Sequence, residues 1–276
     1  MQIKTVLANS ITRLNSNEAF IEAHLLLQSV LEVNRAWLIS HADDDINPQS
    51  ITTFNILIER RILGEPIAYI LGEREFYGLP LKVTQDTLIP RPDTETLVEV
   101  VLDKAPSFSP LQVLDLGTGT GAIALTIAKL QPQAQVIAVD FSEAALTIAK
   151  ENAHHLDINN VSFIQSNWFD ALESQMFDII VSNPPYIEDN DPHLSQGDLR
   201  FEPLSALASG EDGLDDIRKI IQHAPAHLNS NGWLMFEHGY NQAESVSALL
   251  ASNDFTKVST IKDLGGNDRV TVGRKG

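Results

Sequence analysis

The sequence has no cysteine, which removes disulfides, thiolate nucleophiles and zinc–thiolate sites together. It is poor in basic residues: 19 lysines and arginines stand against 37 aspartates and glutamates, for a formal charge of −18. A chain that grips a phosphate backbone needs basic patches, so direct nucleic-acid binding is not expected. The same imbalance suits a self-repelling monomer or a cationic ligand. No apolar run approaches a membrane span, and the N-terminal Met1-Gln2-Ile3-Lys4-Thr5-Val6 has no signal-peptide core, so a soluble, cytoplasmic protein is expected. Internal repeats and low-complexity segments are missing too. What remains is 276 residues, 43% of them apolar, enough for one large domain or two modest ones with a sizeable core.

Two grammars follow one another along the chain. From Asn17 to about Leu63 the apolar spacing is helical, and Phe20, Ala23, Leu27, Val30 and Leu31 fall on one predicted face. A second helix has Asn47 as cap, Pro48 at its first position, Gly64 as terminator and Ile51, Phe54, Ile58 and Ile62 as its stripe. Residues 1–75 therefore read as a small helical bundle. Residues 76–92 read as a short hairpin and linker, ending in Ile89-Pro90-Arg91-Pro92, which blocks regular structure. In 93–276 strands at 111–116, 135–140, 161–165, 177–182, 232–237, 255–262 and 269–273 alternate with helices at 120–130, 143–155, 214–224 and 243–252. Alternation predicts an α/β fold, a parallel sheet covered by helices on both faces. Only Gly265-Gly266-Asn267 and its neighbours separate the last two strands, too few for a crossover, so these two must pair antiparallel.

Two motifs carry chemistry. Asp115-Leu116-Gly117-Thr118-Gly119-Thr120-Gly121 runs from a strand into a helix, and its alternate glycines let a ligand lie against backbone at a helix N-terminus. Asp140 ends the next strand, 19 residues beyond Gly121, where a carboxylate can take both hydroxyls of a ribose. Gly-x-Gly-x-Gly, rather than Gly-x-Gly-x-x-Gly, points away from a pyrophosphate and towards a nucleoside without phosphates, such as S-adenosyl-L-methionine. The second motif is Asn183-Pro184-Pro185-Tyr186, directly after an apolar strand. A planar nitrogen is a poor nucleophile because its lone pair is delocalised. Acceptors on its two N–H groups orient it and raise its electron density, and the Asn183 side chain and Pro184 carbonyl are such acceptors. The prolines stiffen the loop, and Tyr186 can stack on a flat target group. Ser166-Asn167-Trp168 adds an indole that lines either an adenine pocket or the rim, with Asn167 able to bond the base. His223 and His227 are spaced like metal ligands, but Pro225 divides them and no carboxylate completes a site, so a solvated helix end and no metal are expected. Arg60 and Arg61 read as an exposed helix face.

With these residues together, the chain resembles the S-adenosylmethionine-dependent protein-(glutamine-N5) methyltransferases, the release-factor methyltransferases of the HemK/PrmC family. The likeness extends through Gly64-Glu65-Pro66-Ile67-Ala68-Tyr69-Ile70-Leu71-Gly72, through Leu88-Ile89-Pro90-Arg91-Pro92-Asp93-Thr94-Glu95, and through Arg200-Phe201-Glu202-Pro203-Leu204-Ser205-Ala206-Leu207. The resemblance implies a Rossmann-like seven-stranded methyltransferase sheet whose last strand is antiparallel, behind an N-terminal helical bundle that helps recognise the partner. It implies that Gly117, Thr118, Gly119, Thr120, Gly121, Asp140, Trp168 and Asn183 contact S-adenosyl-L-methionine and its product S-adenosyl-L-homocysteine. It implies that Asn183, Pro184, Pro185 and Tyr186 bind the target, with Asn183, Pro184 and Tyr186 carrying the catalysis. The implied substrate is the glutamine of the Gly-Gly-Gln motif in class-1 peptide-chain release factors. Asn167 departs from the pattern, since many relatives carry Asp there; the acceptor oxygen stays and the charge goes. Adenine-N6 methyltransferases of DNA or RNA share the Asn-Pro-Pro-Tyr loop and are the alternative, which the acidic balance opposes. A non-catalytic cofactor-binding protein is a third reading, and one that has no need of an intact loop.

Overall fold

The computed structural model describes residues 1–105 and 110–276, which form two compact units, Met1–Glu73 and Arg74–Gly276. Among the described residues no helix is long and apolar enough to cross a membrane.

The first unit packs helices α1 (Ile3–Leu14), α2 (Ala19–Leu31), α3 (Arg35–Ser40), α4 (Pro48–Ile62) and α5 (Ile67–Leu71) around Leu26, Leu27, Phe54 and Ile58. The expected limits of α4 hold for the expected reasons. The Asn47 side chain accepts from the Ser50 N–H at 2.8 Å, Pro48 opens the helix, and Gly64 turns the chain at φ +94°. Helix α1 was missed by the spacing reading although Ile3, Val6, Leu7, Ile11 and Leu14 make a stripe along it, whereas α3 and α5, of six and five residues, are too short to show one. The predicted α2 face is rotated: Ala19, Ala23, Leu26 and Leu27 are buried, whereas Phe20 is 50% exposed. The cause is Glu22, whose buried carboxylate receives Arg61 Nε at 2.9 Å and Nη2 at 2.7 Å. Phe20 is left outside, its ring 4.1 Å from that of His24. Arg61 is thus a clamp between α2 and α4 rather than an exposed cation, and Arg60 is paired with Glu65. Ile62, at the end of α4, is also exposed.

The second unit opens with a hairpin, β1 (Glu73–Phe76) and β2 (Leu79–Lys82), turned by Tyr77 and Gly78 at positive φ. Phe76, Leu79 and Leu81 of the expected connector enter the unit's core. A 3-10 turn over Pro92–Thr94 leads into α6 (Glu95–Lys104), a helix hidden from the sequence reading by the prolines before it. Then follow β3 (Gln112–Leu116), α7 (Ala122–Leu130), β4 (Gln135–Asp140), α8 (Glu143–His155), β5 (Val161–Gln165), β6 (Phe177–Ser182), α9 (Asp215–His223), β7 (Leu228–Glu237), α10 (Ala243–Ser252), β8 (Phe255–Lys262) and β9 (Asp268–Lys275). The seven strands lie in the order β5-β4-β3-β6-β7-β9-β8, with β9 antiparallel to both its neighbours, as the short final connection requires. Alternate residues face opposite layers. Val113, Ile179 and Val181 meet α6 and α7, while Leu114, Ile180 and Leu234 meet α9 and α10. Burial on both faces explains why the central strands read as continuous apolar runs. His227, expected in solvent, is buried instead: its ring stacks on Phe169 at 4.8 Å, while His223 stays exposed.

Removing one partner of a buried ion pair leaves the other charge desolvated, at a cost of about 3–5 kcal/mol. The Ser16 hydroxyl still donates to Glu22 Oε2 at 2.9 Å, so Arg61→Ala should sit near the lower figure. Hydrogen exchange in α2 and α4 should quicken accordingly, and Glu22→Gln added to Arg61→Ala should recover part of the loss.

Candidate active site

Strand β3 pairs with β4 on one side and β6 on the other, Leu116 lying opposite Val139 and Ser182. The strand order reverses here, so the carboxyl ends of three parallel strands open onto one crevice, the place where open α/β sheets bind ligands. The cleft has a volume of about 440 Å³, ample for a nucleoside-sized ligand.

Of the glycine-motif residues, Gly117 and Gly119 line this cleft, both at positive φ. A Cβ built on Gly117 would lie 3.5 Å from the Trp168 ring, so the indole closes over bare backbone. Thr118, Thr120 and Gly121 serve the turn itself. Thr118 Oγ1 donates to Asp115 Oδ2 at 2.6 Å, the Thr120 carbonyl accepts from Asn152 Nδ2 at 2.9 Å, and Gly121 caps α7 where a Cβ would crowd Leu125 and Ala149. Asn152 also exchanges two bonds with the Lys82 backbone, so one buried amide ties the hairpin, the glycine turn and α8 together.

Asp140 lines the cleft with both oxygens already engaged: Oδ2 accepts from Gly119 N–H at 2.8 Å and Oδ1 from Ser142 N–H at 2.9 Å. Each oxygen keeps a lone pair for a ligand. Burial raises the carboxyl above its ordinary range, against the N–H groups of Ser142, Gly119 and Phe141, which hold it down. Asp115, wholly buried behind the turn, has Oδ1 without a partner, and desolvation pushes it up to about 7. Trp168, at φ +51°, and Asn167 both line the cleft, and Asn167 Nδ2 donates to Asp170.

Sequence reasoning gave no role to several lining residues. Phe141 is 74% exposed beside Asp140, and Asp86 and Asp216 add carboxylates. The segments 85–88 and 203–206 also line the cleft. Parts of both lie in the family-like signatures, and the visible signal was their lack of periodicity, with prolines at 90 and 92 after the first and at 203 in the second. Glu202 explains why they meet: its buried carboxylate accepts from the Ile89 N–H at 3.0 Å and pairs with Arg91. Among the described residues no lysine, arginine or histidine lines the cleft.

Asn183 and Pro185 line the same cleft. Asn183 Nδ2 donates to Thr94 Oγ1 at 3.3 Å, which leaves its Oδ1 uncommitted. Pro184 is buried. Tyr186 is held at three points: its N–H donates to the Leu207 carbonyl, its carbonyl accepts from Gln242 Nε2 at 2.9 Å, and its hydroxyl donates to Glu237 Oε1 at 3.2 Å. Burial and the Glu237 carboxylate raise the Tyr186 pKa, so this hydroxyl stays protonated.

Comparison with known proteins decides the family. The model of a PrmC N-terminal domain matches residues 5–72, and one described as a methyltransferase domain matches 107–270. The chain is 48% identical over 278 residues to the release factor glutamine methyltransferase of Aliivibrio fischeri, spanning 99% of this chain and 98% of that one. It is 44% identical over 275 residues to the enzyme of the same name from Escherichia coli K12, spanning 99% of each. The chain belongs to the release factor glutamine methyltransferase family. It is therefore an enzyme, a methyltransferase. A solved methyltransferase from Pyrococcus furiosus shares the fold at a TM-score of 0.57 and 19% identity, covering 79% of this chain and 97% of that one.

The Asn-Pro-Pro-Tyr loop rests on a glycine. A Cβ on Gly213, whose φ is +71°, would lie 2.2 Å from the Tyr186 carbonyl oxygen. Left-handed backbone alone costs a non-glycine residue about 1–3 kcal/mol. Gly213→Ala should therefore destabilise the second unit by at least that much in chemical denaturation, and should displace Tyr186 in a crystal structure of the variant.

Proposed function

We propose that this enzyme transfers the methyl group of S-adenosyl-L-methionine to the side-chain amide nitrogen (N5) of the glutamine in the Gly-Gly-Gln motif of class-1 release factors, and so tunes translation termination. The observation that carries the reading is the Asn183 side chain, which lines the cleft with its nitrogen already spent on Thr94 and its oxygen left as an acceptor. The likeness to release factor glutamine methyltransferases over the whole chain supports the choice of substrate. The adenine-N6 alternative is not favoured, since neither the charge balance nor the cleft offers cations for a nucleic-acid backbone. The same reading carries the expectation of a monomer working in the cytoplasm, where translation takes place.

The cleft fits the cofactor on three counts: Gly117 and Gly119 bring bare backbone to its wall, Asp140 stands at a strand end for a ribose, and Phe141 and Trp168 offer flat faces for a base. Asp86, Asp140 and Asp216 suit a cationic ligand and would repel a phosphate. When bound, the cofactor supplies an electrophilic methyl group on a positively charged sulfur. The protein's part is to orient the amide. Asn183 Oδ1 and the Pro184 carbonyl accept from the two target N–H groups, fixing the nitrogen and enriching its electron density. Tyr186, held protonated, is no base; its fixed ring supports the flat amide, and the proton lost from nitrogen passes to solvent.

Labelled methyl transfer to purified release factor, followed by mass-spectrometric location of the added group, tests the proposal, and a methyl found anywhere but the Gly-Gly-Gln glutamine would refute it. Loss of one aimed polar partner typically costs about 100-fold or more in rate. Asn183→Ala should show that loss with its fold intact. Asn183→Asp keeps an acceptor but cannot donate to Thr94, so it should fall between the two. Asp140→Ala should weaken cofactor binding by about 1–3 kcal/mol in calorimetry.

A further inference from the structure

The Asn-Pro-Pro-Tyr loop rests on a buried side-chain amide that is not among the lining residues of the cleft. Gln242 immediately precedes α10 and is 9% exposed. Its Nε2 donates to the Tyr186 carbonyl at 2.9 Å and to the Asp212 carbonyl at 3.4 Å, and its Oε1 accepts from the Gly239 N–H at 2.8 Å. Carbonyl oxygens only accept and a backbone N–H only donates, so the amide fits in one orientation and both of its ends are engaged. Glycines keep the space open on both sides. A Cβ on Gly213 would lie 2.9 Å from Gln242 Nε2, and one on Gly239 would lie 3.1 Å from its Oε1. One side chain thus joins the loop to the turn before α9 and to the exit of β7.

Covalent geometry carries this restraint back along the loop. The Tyr186 and Ile187 N–H groups both donate to the Leu207 carbonyl, at 3.2 and 2.9 Å, while Gln242 holds the Tyr186 carbonyl from another direction. Because peptide units are planar, these three bonds fix the planes on either side of Tyr186. The ring of Pro185 locks its φ at about −65°, so a single free torsion, the ψ of Pro185, separates the fixed planes from the Pro184 carbonyl. Release of the Tyr186 carbonyl lets these planes rotate, and the Pro184 carbonyl and the Tyr186 ring turn with them.

We propose that Gln242 is a positioning residue for methyl transfer: by holding the Tyr186 carbonyl from outside the cleft, it aims the Pro184 carbonyl and the Tyr186 ring at the target nitrogen. The inference rests on the role given to the loop in the function proposed above. A Gln242 that served stability alone would lower Tm and leave the folded enzyme's rate as it was. A positioning Gln242 is felt in kcat, because the acceptors must be aimed before the methyl group moves.

In the wild type, the Gln242 side-chain N–H protons should exchange slowly with solvent, as buried, bonded protons do. Gln242→Met keeps the length and removes both polar ends, and Gln242→Asn keeps the amide but stops one methylene short. With release factor as substrate at saturating cofactor, and well below the lowest Tm, each should lose about tenfold or more in kcat. KM for release factor and cofactor affinity should stay within about twofold of wild type. With tyrosine labelled at its carbonyl carbon, the Tyr186 signal, assigned with Tyr186→Phe, should shift in both variants. Val246→Ala trims the core under the same helix and leaves the amide in place, so it should lower Tm while kcat stays near wild type. Fast exchange of the wild-type Gln242 amide, an unmoved Tyr186 signal, or a kcat loss no greater than that of Val246→Ala overturns the proposal. If the wild type leaves release factor unmethylated, the substrate reading falls, while the exchange and carbonyl measurements, which need no turnover, still decide whether Gln242 holds the loop.

Discussion

The pairing of β3 with β6, Leu116 opposite Ser182, is the constraint from which the site follows. It places the residue after each strand, Gly117 and Asn183, at one edge of the sheet, so the glycine turn and the Asn-Pro-Pro-Tyr loop share a wall of one cleft. The pairing is locked from within. Ser182 Oγ donates to the Leu116 carbonyl at 2.7 Å, and the Gly117 and Thr118 N–H groups both reach the Val139 carbonyl at 2.9 Å. A slip of one residue would reverse which side chains face each helical layer and expose a row of isoleucines and valines. Each fully buried aliphatic side chain is worth about 1.5–3 kcal/mol, so several together leave that register no competitor.

Charge distributes itself around this edge in a consistent way. The acidic excess of the whole chain is repeated in the cleft, where Asp86, Asp140 and Asp216 line the wall and only Asp216 is paired with a cation, Lys219. Asp115 and Glu237 lie deeper, and desolvation raises each to about 7. Raised carboxyls weaken the fold when charged: their contribution is whole below the ordinary carboxylate range and is lost as pH climbs through about 7. Two such groups flanking one cleft are a recurring cost in stability, which is the pattern expected where geometry at a reactive centre outweighs stability.

What the sequence made legible was whatever depends on local pattern. Gly117, Asp140 and Asn183 could be placed in one cleft because each stands at the end of an apolar strand, and three strand ends meet wherever a parallel sheet reverses its order. The antiparallel β9 followed from a connection too short for a helix. The residues that were missed depend on distant partners. Glu22 turned α2 because of Arg61, 39 residues away, and Phe20 was left outside. His227 looked solvated because nothing nearby announces Phe169. Helix α6 was obscured by prolines that in fact only start its first turn. Phe141 and Asp86 sit in the cleft through loops, where no periodicity marks a face, and Asp216 reaches it from the first turn of α9.

The Asn-Pro-Pro-Tyr loop shows how a short motif depends on a large frame. Four residues, Asn183 to Tyr186, are steadied by Thr94, Leu207, Gln242 and Glu237, which come from four other segments of the unit. Two prolines reduce the states the free loop can adopt, and these bonds remove most of the rest before any substrate arrives. A planar amide nitrogen has little intrinsic reactivity to spare, so the acceptors must be aimed in advance rather than reorganised at the moment of transfer. Motion in any one support would then be felt as misdirection of Asn183, even where the rest of the cleft is untouched. That separation of cleft and support makes it physically reasonable for residues outside the cleft to govern the rate of methyl transfer while cofactor affinity stays unchanged.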